Sequence, residues 1–179
     1  MKKILLVASF LALTACGDSK ITEIDGSSTS MADQSLKAMM QGMKNSDRYN
    51  MEVDIKMLHA RYKGEEFAKA LGGKDKDEFQ KEVADTRLYF IGKGREREIA
   101  DSQKEIDAFE TQIKEFTDLK KENRPDFVAE DDVFVQGWTK KADLIRARQA
   151  AVAALSDDAF WKEYGCGCSE SSIVRPQYN

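Results

Sequence analysis

The chain reads as an all-α protein, a bundle of four to six helices dominated by one long antiparallel pair. Three observations predict this. Apolar residues recur three, four or seven apart rather than alternating, in a chain that is 34% charged, so helices with wet outer faces are expected. Only two prolines interrupt 179 residues. Ile99, Ile106 and Ile113 recur every seventh residue with Phe109 and Phe116 between them, a heptad-like seam.

At the start of the chain, Lys2 and Lys3 precede an apolar run from Ile4 to Leu13, ten residues that fall well short of the roughly 20 needed to span a bilayer. Leu13-Thr14-Ala15-Cys16 closes the run. These residues resemble the lipobox of bacterial lipoproteins. The resemblance implies that residues 1–15 are a signal peptide, that the Cys16 thiol is diacylated, and that its freed amine is acylated after cleavage. Several acyl chains hold a protein firmly where one holds it only marginally. Gly17, not an aspartate, follows the cysteine, which under the enteric sorting rule favours the outer membrane, with the domain facing the periplasm. The remainder of residues 16–29 is rich in Ser, Asp and Gly and reads as a flexible tether.

The helical domain is expected over residues 30–165. Ser30 and Asp33 match a helix entry, and Leu36, Met39, Met40 and Met43 continue that helix towards Asn45. Met51, Ile55, Leu58 and Tyr62 lie on one face of a second helix, which could run on through Phe67 to Leu71 before Gly72-Gly73 stops it. Asp75 and Glu78 form a capped start ahead of Phe79, Val83, Leu88 and Phe90, and Gly92 and Gly94 are expected to interrupt or kink that helix. A long helix from Arg95 to Glu122 carries the isoleucine seam and ends at Asn123-Arg124-Pro125. Its antiparallel partner is expected over Asp131 to Leu155, through Trp138, Ala142, Ile145, Gln149 and Val152. Ser156 caps a short last helix bearing Phe160, Trp161 and Tyr164, with Gly165 at its end. Residues 166–179 show no helical pattern and form an irregular tail.

Ile24-Asp25-Gly26-Ser27-Ser28, with the helix bearing Ser35, Leu36 and Met39, also resembles the start of small bacterial lipoproteins of unknown function. That resemblance implies a lipid-anchored helical domain and no activity.

Charge excludes some partners. The formal charge is −4, and loss of Lys2 and Lys3 with the leader makes it −6, a poor match to nucleic acid. Chemistry is sparse. Cys166 and Cys168, separated by one glycine, are candidates for an intramolecular or intermolecular disulfide, for a soft-metal pair, or for thiols of no consequence. Six methionines lie between Met31 and Met57; they suit core packing, an adaptable binding groove, or thioether ligation of Cu(I). Met39, Met40, Met43, Trp161 and Tyr164 form the candidate binding face. His59 is the single histidine and has no identifiable nucleophile beside it; G-x-S-x-G is absent, so no catalytic residues are assigned and no cofactor or metal is called for. The expected function is a non-enzymatic envelope lipoprotein that binds an envelope protein partner and is held to the membrane by its lipid. An immunity or exclusion lipoprotein, or a periplasmic metal-handling protein, are the alternatives.

Overall fold

The computed structural model describes residues 21–165. The leader, Cys16, and the tail with Cys166 and Cys168 lie outside the described residues. Within them the chain is all-helical: α1 (Thr29–Met39), α2 (Asn45–Arg61), α3 (Glu65–Leu71), α4 (Lys76–Asn123), a 3-10 turn (Ala129–Asp131), α5 (Val133–Ala154) and α6 (Asp157–Tyr164). No helix among the described residues is long and apolar enough to cross a membrane.

Two regions share one backbone element. The head gathers α1, α2, α3, the first half of α4, the end of α5, and α6 around Leu36, Met57, Leu58, Phe67, Leu71, Phe79 and Phe160, all 2% exposed or less. The arm is the second half of α4 folded against α5. Gln149 donates to the Ile99 carbonyl at 2.9 Å, and Arg146 and Arg148 reach Glu110 and Glu98, an antiparallel register. α4 has 48 residues and so runs roughly 72 Å, joining the head to the arm's far end.

Local chemistry sets the boundaries. The α1 cap is Ser28, whose hydroxyl accepts from the Met31 amide at 3.2 Å, so the helix starts earlier than an entry at Ser30 requires. It stops at Met39, and Gly42 at φ +81° turns the chain towards α2. Met39 and Met43 therefore do not occupy one continuous helix. α2 does not run into α3, because Gly64 at φ +55° takes a backbone conformation that side chains resist. At α4 the expected capping box is present, with Asp75 accepting from the Asp77 and Glu78 amides and Glu78 reaching back to the Asp75 amide.

Two expectations are corrected. Gly92 and Gly94 do not interrupt α4, which continues through both. Phe90, Ile91 and Gly94 are buried where α6 packs, and Arg95 bonds Asp157 at 2.9 Å, so tertiary contact outweighs the roughly 1 kcal/mol that each glycine costs a helix. The tether boundary at residue 29 is also too late. Ile24 is 2% exposed, donates to the Lys74 carbonyl at 3.0 Å and accepts from the Gly73 amide at 2.8 Å. Residues 24–28 strap the head. Asp25 accepts from the Ser27 amide, Gly26 crosses Gly72 so closely that a Cβ on it would stand 2.5 Å from the Gly72 Cα, and Ser28 caps α1.

Candidate functional site

Two surfaces in the described residues are unlike the rest: a cleft in the head and the far end of the arm.

The cleft occupies about 870 Å³ where the end of α1, one face of α2 and the first turn of α4 meet beneath Ile21 and Thr22. On α2 the residues Asp47, Asn50, Met51 and Asp54 follow at intervals of three, one and three, which aligns them along a single helical face. Met39 and Met43 come from either side of the α1–α2 turn, so three thioethers and Phe79 supply the apolar wall. Asp47, Asp54, Asp75 and Asp77 supply carboxylates, against the single ammonium of Lys76.

These carboxylates differ in their surroundings. Asp75 caps α4, while Asp77 and Asp47 lie in first helical turns, where a negative charge complements the helix dipole. Asp54 sits in the middle of α2. Burial pushes its carboxyl up from 3.8 to about 6, and the Arg87 guanidinium, pulling the other way, offsets only part of that. Arg87 is itself engaged elsewhere, its guanidinium 5.1 Å from the centre of the Trp161 ring. Arg87 Nε and Trp161 Nε1 are both buried without a hydrogen-bond partner.

At the C-terminal end of α2, a polar network fastens it to α4. Tyr62 donates to Glu82 at 2.6 Å, Lys74 pairs with the other oxygen of Glu82 at 3.1 Å, and Arg61 donates to the fully buried Thr86 at 2.9 Å. Burial raises the Glu82 carboxyl, but the bonds from Tyr62 and Lys74 and the nearby Arg61 more than reverse it, leaving Glu82 below the usual range. Burial and the same Glu82 bond push Tyr62 up to about 12.

At the arm's end Phe116, Phe127, Phe134 and Trp138 cluster, with Trp138 edge-on to Phe116 at 5.3 Å. Here the apolar surface opens outward. Leu119, Val128, Val133 and Phe134 are between 51% and 72% exposed.

The residues singled out in the sequence separate accordingly. Met39 and Met43 line the cleft and are half-buried, and Met51 joins them. Met40 and Trp161 are corrected: at 9% and 8% exposure they belong to the core, not to a binding face. Tyr164 is half-buried, stacks on Phe160 at 4.8 Å and does not line the cleft. His59 bonds Asp33 at 2.9 Å and stacks on Phe67 at 3.7 Å, a packing role. Among the described residues no group of three or more His, Cys, Asp or Glu is disposed to hold a metal. Asp54 was missed, although a carboxylate three residues after Met51 and four before Leu58, inside an apolar stripe, is a visible signal. The exposed arm end was missed too. Compared with known proteins, the chain matches no family model, no curated protein and no solved structure.

Proposed function

We infer that this chain is a lipid-anchored envelope lipoprotein whose helical domain binds a protein partner and performs no catalysis. Leu13 to Cys16 motivates the anchor by its resemblance to a lipobox. The observation that carries partner binding is the exposed apolar end of the arm, where Leu119, Val128, Val133 and Phe134 face outward around an aromatic cluster. Exposed apolar residues grouped in this way mark interaction sites more often than scattered ones do.

Charge narrows the partner. Residues 119–135 hold Glu122, Asp126, Glu130, Asp131 and Asp132 against Lys120, Lys121 and Arg124, a net acidic collar beside the apolar patch, with the Lys120 ammonium over the Phe116 ring at 5.0 Å. An anionic lipid surface would repel that collar, whereas a protein pocket rimmed by Lys or Arg would complement it. The part of α4 beyond Ile99, where the head core ends, would carry the patch at Leu119 roughly 30 Å out from the head, whose strap leads back towards the anchor.

A photo-reactive residue in place of Phe134, introduced in intact cells, tests this directly. One defined protein adduct is expected, and none from the same residue placed at Lys104, which is exposed along the arm's polar side. Equal labelling from both positions, or no adduct from Phe134, would overturn the reading.

A further inference from the structure

The cleft in the head lies at the other end of α4 from the aromatic patch, and partner binding at the arm does not account for it. We propose that it is a binding site for a small amphiphilic cation, a ligand with one ammonium or guanidinium head on an apolar body.

Size, wall and charge each contribute. A volume of about 870 Å³ lies in the range of small-molecule sites, which are apolar with a few placed polar groups. The wall is of an adaptable kind: Met39, Met43 and Met51 have unbranched, polarisable side chains that accommodate apolar groups of varied shape. The charge has one sign, since Lys76 is opposed by four carboxylates. Helix capping and helix dipoles explain three of these, Asp47, Asp75 and Asp77.

Asp54 is the exception. It serves no helix terminus, it borders the cleft, and the guanidinium that acts on it, Arg87, lies over Trp161. Burying a carboxylate without full compensation is unfavourable, and a cation entering from the cleft would compensate it. The methionines would then hold the apolar body while Asp54 and Asp47 receive the head. An anion would meet like charge, and a neutral ligand would leave Asp54 as it is. Copper(I) would use the thioethers but gain little from hard carboxylate oxygens.

Methionine-methyl NMR of the full chain tests the site residue by residue, with signals assigned by single Met→Leu changes. The probes are 2-phenylethylammonium, 2-phenylethanol, 3-phenylpropionate and copper(I). The ammonium is expected to shift the Met39, Met43 and Met51 methyls saturably and to leave Met57, buried in the core, unmoved. The alcohol is expected to bind about tenfold more weakly, the scale of one charge-assisted contact, and the carboxylate not to bind. Asp54→Asn should remove most of the ammonium's advantage over the alcohol, and Asp47→Asn, at an exposed position, should reduce it less. Equal binding of ammonium and alcohol, no shift with any organic probe, or a response to copper(I) alone would each overturn the proposal. None of these outcomes bears on the Phe134 adduct.

Discussion

In the head, all or part of six helices and a strap converge, so that an aromatic such as Phe67 or Phe160 is enclosed on every side. In the arm, two helices share one stripe: Ile106 and Ala142 are 1% exposed, but Ile113, Phe116 and Trp138 remain half-buried beside them. Two cylinders in contact can hide only the faces they turn to each other. The arm's flanks are therefore polar, tied by exposed ion pairs such as Lys114–Asp118 that contribute little each. Where the charged flanks give way to Leu119, Val128, Val133 and Phe134, the apolar surface has no partner within the described residues. The difference separates residues that hold the fold from apolar residues left exposed.

Substitutions can break or sharpen that division. Phe67→Ala removes a ring with no exposure that also stacks on His59, and should cost about 3–5 kcal/mol by urea denaturation, seen as loss of the whole head. Ile106→Ala should cost about 2 kcal/mol, because the arm can close around the void, and hydrogen exchange should quicken in α5 amides while α1 and α3 keep their protection. If Ile106→Ala loosened the head equally, the two regions would be one cooperative unit.

Gly26→Ala sharpens the comparison at the strap. Its new methyl would stand 2.5 Å from the Gly72 Cα and 2.9 Å from the Ala68 carbonyl oxygen, backbone atoms that cannot swing aside. A loss of about 1–3 kcal/mol is expected by thermal or urea unfolding. No loss would mean that residues 24–28 belong to the tether after all.

Asp54→Asn has the smallest expected effect and a characteristic pH dependence. The folded chain holds this carboxyl at about 6 against an ordinary value of 3.8, so the folded state binds the proton more tightly than the unfolded state. Stability from that source is full below pH 3.8, declines as pH rises to about 6, and is absent above it. Asn should therefore stabilise by on the order of 1 kcal/mol at pH 7.5, after allowance for partial solvent access, and by almost nothing below pH 4. A stabilisation independent of pH would point to a cause other than burial of the charge.

Much of the fold was legible in local chemistry. The Asp75–Glu78 box, the Ser156 cap, the stop before Pro125 and the isoleucine seam all act within a few residues or one helix face, and each is where the pattern placed it. The misses depend on distant contacts. Ile24 is indistinguishable from a tether residue until the α3–α4 turn closes over it, and Gly92 and Gly94 look like breakers until α6 covers that stretch. Burial at the two ends of one seam is also invisible in periodicity: Phe116 and Phe134 obey the same spacing rules as Phe79, but no third helix arrives to cover them. Of the expected binding face, Met39 and Met43 border the cleft, whereas Met40 and Trp161 satisfy the same apolar pattern by facing inward.

The arm's outer apolar residues, in this account, serve contact and not folding. The most direct measurement is the yield of the Phe134 adduct in cells expressing the Leu119→Gln/Val133→Gln chain, two changes at positions 59% and 72% exposed. An adduct reduced about tenfold is predicted, in a chain whose stability to urea moves by less than about 0.5 kcal/mol. An undiminished adduct would contradict it.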